Sequence, residues 1–316
     1  MQEKLSNHDC FGEQSLILVR GGGDIASGTI MKLRACGYAV LILEIAKPSA
    51  IRRNVAFSEA VYQGTQTIEG TTCYLAKNLD EAREFLQMGR LTLLVDPACN
   101  CLKELRPLAL VDGILAKENL GTSRSMAPIT IALGPGFTAG EDVDAVIETK
   151  RGHNLGRVIY RGPAAPNTGI PGKIAGFDKE RVIHSPAEGI LYNVCKITDT
   201  VKKGDVIARI ESADGAIIPV QATIDGLLRG LIRDGFPVTK GFKIADIDPR
   251  AEEYNNCFTV SDKARCIAGG VLEAILRLQR LEQGEVPGIE DNLLLNDFSA
   301  TAQCQPKEGY SSIDYE

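Results

Sequence analysis

SLILVRGGGDIASGTIMKLRACGYAVLILE, residues Ser15–Glu44, is the stretch on which the fold reading turns. Ser15–Val19 is an apolar strand that runs into Gly21-Gly22-Gly23-Asp24-Ile25-Ala26. Ala26, Ile30 and Leu33 then recur at helical spacing, and Gly37 stands where a helix C-terminal glycine belongs. A second apolar run, Ala39–Leu43, ends in Glu44. Strand, GxGxxA turn, helix, strand and acid follow one another as a dinucleotide-binding unit requires. Gly21 and Gly23 allow a tight turn and close approach to phosphate, and the backbone N–H groups of Asp24, Ile25 and Ala26 open the helix toward an anion. Glu44 is placed to accept hydrogen bonds from ribose hydroxyls. Asp24 puts a carboxylate at the mouth of this site, where it caps the helix or holds a metal or an amine.

More α/β material follows. Leu91–Val95 and Leu108–Leu115 read as strands whose ends bring Asp96, Lys117 and Asn119 to the rim where open α/β sheets bind ligands. Arg52 and Arg53, just beyond the second strand, are candidates to clamp an outer phosphate or another oxyanion. The loop Gly134-Pro135-Gly136-Phe137-Thr138-Ala139-Gly140-Glu141-Asp142 suits close backbone approach, with Gly134 and Gly136 as binding candidates. Thr149–Arg157 gathers Lys150, Arg151, His153 and Arg157 around two glycines as an anion grip. His153 is an acid–base candidate or a hydrogen-bonded structural residue; no second His or Cys lies nearby to complete a metal set.

Ser185–Ile210 and Ala222–Ile247 align without gaps at an offset of 37, and eight of the 26 pairs are identical. Each copy reads as short strands around a glycine followed by a Val-x-Lys-Gly turn. The pattern resembles biotinyl/lipoyl-type barrel-sandwich domains. Those carriers present a modifiable lysine between the halves, whereas Asp214 stands there, so neither biotin nor lipoate is expected. After Asp262, Ala264, Ile267, Val271, Ala274, Ile275 and Leu278 recur at helical spacing behind a Ser261 or Asp262 cap. The expected fold class is therefore α/β. A Rossmann-like parallel-sheet domain (15–180) follows a flexible N-terminus (1–14). A β barrel-sandwich module (181–250), a C-terminal helix (251–283) and an acidic disordered tail (284–316) complete the chain.

The charge balance narrows the function classes. Residues 284–316 hold seven acids and one base, which leaves 34 of each from the 41 acidic and 35 basic residues of the whole. A broad nucleic-acid surface is excluded, and with no Trp and 5 % aromatics there is no base-stacking platform. No stretch is apolar enough to span a membrane, and Met1–Gln14 lacks a secretory hydrophobic run. Nine scattered cysteines read as reduced thiols in the cytoplasm.

Arg20–Gly28, Gly134–Asp142, Glu148–His153 and Ser261–Ala264, with the duplicated module between the last two, together resemble the YqeB family. These are accessory proteins encoded with selenium-dependent molybdenum hydroxylases and distantly similar to the XdhC/CoxI chaperones. The resemblance implies maturation or delivery of the molybdenum (molybdopterin) cofactor, including installation of its selenium, and a hydroxylase as partner. The bound group would be that cofactor or a (di)nucleotide, held in the crevice between the glycine turn and the 134–153 region. An NAD(P)-dependent oxidoreductase is the rival reading, although no Tyr-x-x-x-Lys relay is present. A nucleotide-binding regulator without turnover is a third. Oligomeric state stays open.

Overall fold

A computed structural model describes residues 15–167, 169 and 174–282; the segments expected to be flexible (1–14 and 284–316) lie outside the described residues. Ten strands come first: β1 (Leu16–Arg20), β2 (Ala39–Glu44), β3 (Thr65–Ile68), β4 (Thr71–Ala76), β5 (Leu91–Val95), β6 (Ala109–Asp112), β7 (Ile129–Leu133), β8 (Thr138–Ala139), β9 (Ala145–Ile147) and β10 (Val158–Ile159). All but β8 form one sheet, in the order β10-β9-β7-β6-β1-β2-β5-β4-β3. Its inner pairs are parallel, and only β3–β4 and β9–β10 at the two edges are antiparallel. β8 pairs separately with β11 (Gly162–Pro163).

Four helices flank the sheet: α1 (Asp24–Ala35), α2 (Ala60–Gln63), α3 (Leu79–Gln87) and α4 (Asp262–Glu282). Alternation along β1 decides what each face buries. Ile17 and Val19 pack with Ile30 and Leu33 of α1 and with Ile267, Val271 and Ile275 of α4. Leu16 and Leu18 face the opposite way, toward Ala82 and Leu86 of α3. Each fully buried aliphatic side chain of this kind contributes about 1.5–3 kcal/mol. The Oγ of Ser261 accepts from the Ala264 N–H at 3.2 Å, and the Asn78 side chain accepts from the Glu81 N–H at 2.9 Å, so α4 and α3 each begin on a polar cap.

The duplicated segment forms two four-stranded antiparallel sheets. Its strands are β12 (Val182–His184), β13 (Gly189–Asn193), β14 (Thr200–Val201), β15 (Val206–Glu211), β16 (Ile217–Gln221), β17 (Gly226–Leu231), β18 (Phe236–Val238) and β19 (Lys243–Asp248). The sheet orders are β12-β19-β17-β14 and β16-β15-β13-β18. Each copy lends a strand to the other: β14 pairs with β17, and β18 pairs with β13. Gly189 and Gly226 occupy equivalent positions at φ +153° and +152°, where a side chain would run into the carbonyls of Glu211 and Asp248. The duplication read from sequence is thus a reciprocal exchange of strands around one apolar core that includes Leu191, Ile207, Leu228 and Ile244.

Close backbone approaches bring the parallel sheet, its loops and α4 together. Gly28 of α1 lies against Ala264, and Gly156 lies against Cys266. Gly136 (φ +108°) folds its loop onto the backbone of Lys117 and Glu118, leaving no room for a side chain. The first turns of α1 and α4 consequently open toward the same space.

Candidate functional site

That space is a cleft of about 910 Å³. Asp24 and Ile25 at the start of α1, Lys117, and Thr149–Arg151 line it from the parallel sheet. Arg181, His184, Arg229, Lys243 and Asp246 line it from the duplicated sheets, and Ser261, Asp262, Lys263 and Arg265 from the head of α4. With Arg52 and Arg250, ten lysines and arginines line the cleft against three aspartates and no glutamate.

Carboxylates hold the guanidinium groups in fixed positions. Asp246 accepts from Arg229 Nε at 2.8 Å and pairs with Arg181 at 3.3 Å. Asp248, fully buried, takes Arg229 at 3.1 Å and Arg250 at 2.8 Å. Burial alone would raise the Asp248 carboxyl, but hydrogen bonds from Arg250 and the charge of Arg229 outweigh it and hold the group below the usual range. Arg151 grips Asp262 through two bonds of 2.8 Å each, and that hydrogen-bonded guanidinium pulls the Asp262 carboxyl well below the usual carboxylate range. Lys117, Lys150, Lys243 and Lys263, by contrast, form no salt bridge among the described residues.

Among the cations that line the cleft from the parallel-sheet side Arg52 is the most deeply set, with its side chain 9 % exposed. It donates to the Asn256 carbonyl at 2.8 Å, while the Asp24 carboxylate stands 3.6 Å from its other terminal nitrogen. Its Nε is buried and has no partner among the described residues. Gly230 makes room for it, since a β-carbon there would sit 3.3 Å from Arg52 Cγ. Burial lowers the Arg52 pKa, and Asp24 partly offsets that.

Of the residues selected from sequence, Asp24, Ile25, Arg52, Lys117, Lys150 and Arg151 line this cleft. The others serve elsewhere. Arg53 turns away and donates to the Leu231 carbonyl at 2.8 Å. Asn119 is spent on its own turn, accepting from the N–H groups of Gly121 and Thr122. Gly134 packs on the Thr149 side chain, Ala26 is fully buried beneath Gly113, and His153 is exposed outside the cleft lining. Asp24 makes no capping bond: the helix N-cap is Gly23, which has open space around it.

The glycine turn itself is filled by protein. Glu44 accepts from the Gly22 N–H at 2.8 Å and from the Ile45 N–H at 2.8 Å, so its carboxylate takes the turn N–H that a phosphate would need. Burial raises the Glu44 pKa, and those two N–H groups oppose the rise. The Gly22 carbonyl accepts from the Ser58 N–H at 2.9 Å, and Gly21 (φ +85°) sits against the backbone of Ile114. Gly21, Gly22 and Gly28 are needed for internal packing, which a GxGxxA pattern cannot distinguish from dinucleotide binding.

No family model matches this chain. It is 53 % identical over 264 residues to the uncharacterized protein YqeB of Escherichia coli (strain K12), a match that takes in 83 % of this chain and 48 % of that protein. The chain thus spans about half the length of the curated relative it matches. Among solved structures it is similar to the product-bound ectoine utilization protein EutE (DoeB) from Ruegeria pomeroyi, at 11 % identity and a TM-score of 0.21 over 73 % of this chain and 56 % of that one. It is similar to an aspartoacylase family protein from Mesorhizobium loti, at 12 % and 0.24 over 75 % and 85 %. A succinylglutamate desuccinylase/aspartoacylase from Rhodobacter sphaeroides gives 15 % and 0.25 over 74 % and 85 %.

None of these solved structures is named as an XdhC/CoxI chaperone, a molybdenum-cofactor protein or a nicotinamide oxidoreductase, and the sequence expectation is withdrawn in four respects. The likeness to XdhC/CoxI chaperones is withdrawn. So is the fold class of a Rossmann-like domain followed by a biotinyl/lipoyl barrel-sandwich. Molybdenum cofactor maturation and NAD(P)-dependent oxidoreduction, with the functional vocabulary built on them, fall as well. The occupied glycine turn is the physical reason on the dinucleotide side. At TM-scores of 0.21–0.25 the likenesses say nothing about the reaction of this chain. Among the described residues no group of three or more His, Cys, Asp or Glu could hold a metal ion, and no helix is long and apolar enough to cross a membrane.

Three of the residues that sequence reasoning missed, Arg229, Lys243 and Asp246, lie in the second repeat copy, while Arg181, Arg250 and Arg265 lie outside both copies. At the offset of 37, Arg229 faces Tyr192, Lys243 faces Val206, and Asp246 faces Arg209. The cleft is built where the two copies differ. Divergence between them, rather than identity, was the available signal.

Proposed function

We propose that this protein binds a small molecule carrying at least two anionic groups, phosphate or carboxylate, in the cleft between the parallel sheet, the duplicated sheets and the head of α4. The observation that carries the reading is the excess of ten fixed or mobile cations over three aspartates around one cavity. All three aspartates are already engaged by arginines, Asp24 by Arg52, Asp246 by Arg181 and Arg229, and Asp262 by Arg151. Guanidinium groups locked by carboxylates are pre-oriented for anions and lose little freedom on binding. The unpaired lysines supply the remaining charge. The seven described cysteines are free thiols, which supports a reducing compartment such as the cytoplasm.

A thermal-shift survey of inorganic phosphate, pyrophosphate, citrate and succinate tests the reading. Multivalent anions should raise the melting temperature above any effect of chloride at equal ionic strength, because a ligand that binds only the folded state stabilises it. Equal responses to pyrophosphate and chloride would refute a built anion site.

A further inference from the structure

Within the cleft Lys263 stands apart from the other cations, and the reason is electrostatic. It occupies the first turn of α4, where the positive end of the helix disfavours a protonated amine. Arg151, from the loop after β9, bonds to the neighbouring Asp262 with both terminal nitrogens and so sets a permanent positive charge beside it. Lys243 of β19 adds a second positive charge. The nearby acids are Asp24 of α1 and Glu148, and both are otherwise occupied. Asp24 lies 3.6 Å from Arg52, and Glu148 accepts from the N–H groups of Lys150 and Ala165. The Lys263 amine is half-buried and forms no salt bridge among the described residues. Burial first and Arg151 second lower its pKa, with Asp24 and Glu148 opposing.

We infer that Lys263 is the reactive amine of the cleft and forms an imine with a carbonyl-bearing anionic substrate seated on the surrounding arginines. The nitrogen bonds to the carbonyl carbon, its two hydrogens leave with the carbonyl oxygen as water, and C=N replaces C=O. No oxidant or reductant is consumed. The step uses the lone pair of the amine, and the fixed cations around Lys263 favour the form that carries it. The assignment rests on the anion-binding reading, which supplies the seat for the substrate.

Pyridoxal phosphate, an aldehyde with a phosphate handle, is the probe. The full-length protein is treated with it, reduced with borohydride and mapped by peptide mass spectrometry. Lys263 should carry most of the label, at a rate about tenfold above that with phosphate-free pyridoxal, the gain expected from one charge-assisted contact. Lys263→Arg keeps a long basic side chain without a nucleophilic amine and should lose the label with an unchanged circular dichroism spectrum. Label spread evenly over Lys117, Lys150 and Lys243, or retained in Lys263→Arg, would overturn the assignment. If pyrophosphate binds but Lys263 stays unlabelled, the amine assignment fails and the cleft reading survives. If pyrophosphate does not bind and Lys263 is labelled equally fast by both aldehydes, the cleft reading fails and the imine assignment, which rests on it, falls with it.

Discussion

Gly28 of α1 lies against Ala264 of α4 so closely that a β-carbon on the glycine would come 2.7 Å from the alanine Cβ and 2.9 Å from its carbonyl carbon and oxygen. The contact joins two of the sequence stretches, Arg20–Gly28 and Ser261–Ala264, that carried the family resemblance. It also brings the heads of both helices to the cleft. Helix propensity alone makes Gly28→Ala stabilising by about 1 kcal/mol. The crowded backbone predicts the opposite, a loss of about 1–3 kcal/mol from overpacking. The midpoint of urea denaturation decides, and an unchanged or raised midpoint would show that the two helices separate without cost.

Arg52 and Arg53 are adjacent in sequence but serve different ends. Arg52→Gln should weaken pyrophosphate binding by about tenfold or more, the scale of one lost charge-assisted bond. Arg53→Gln removes a bond to the Leu231 carbonyl outside the cleft and should leave that affinity within about twofold, as expected for a site without ligand contact. Calorimetric titration of both variants checks the pair. A larger loss for Arg53→Gln than for Arg52→Gln would mean that the anion sits elsewhere.

Asp262 gives a pH dependence with a definite sign. Its carboxyl is depressed in the folded protein by Arg151, so its contribution to stability is present above the unfolded carboxylate range, and falls away as pH drops below it. The Asp262 side chain is 73 % exposed, so solvent screening limits the pair to less than about 1 kcal/mol. Asp262→Asn should therefore lower stability slightly at neutral pH and not at all at the acid end, and added salt should shrink the difference. Denaturation curves at two pH values and two salt concentrations would expose a loss that persists in acid, which this pairing cannot produce.

Much of the local structure was readable from residue order. The strand read over Ser15–Val19 is β1 at Leu16–Arg20, the helix after Gly23 begins at Asp24, and α4 buries Ala264, Ile267, Val271, Ala274 and Ile275 as their spacing indicated. These follow from periodicity and caps, which act within a few residues. What Glu44 does was not readable. An acid after the second strand looks the same in sequence whether it meets a ribose or, as here, the Gly22 N–H. Spacing also could not bring Arg229, Lys243 and Asp246 to the same cleft as Asp24 and Lys263. That proximity depends on how the duplicated sheets dock, through long-range contacts such as the one from the Leu231 N–H to the Ile51 carbonyl at 2.8 Å.

The hairpin between the two repeat copies bears on modification. Its tip is Asp214, whose side chain bonds to Ser212 and Ala216 within the turn. Lys203 and Lys240 lie instead in the equivalent Val-x-Lys-Gly turns, and duplication alone accounts for their correspondence. Intact-mass analysis of protein from cells with active biotin and lipoate ligases should show neither group. A mass gain on either lysine would move the duplicated sheets into the carrier class.

The account depends above all on the cleft being a built anion site, and the affinity of the unmodified protein for pyrophosphate as a function of salt tests that most directly. Isothermal calorimetry should show a single site whose affinity falls as sodium chloride rises, because part of the attraction comes from exposed lysines that salt screens. A residual affinity should persist at high salt from the arginines anchored on Asp246, Asp248 and Asp262, and Arg52→Gln should reduce it. Absence of saturable binding at low salt, or binding that Arg52→Gln leaves untouched, would contradict the central claim.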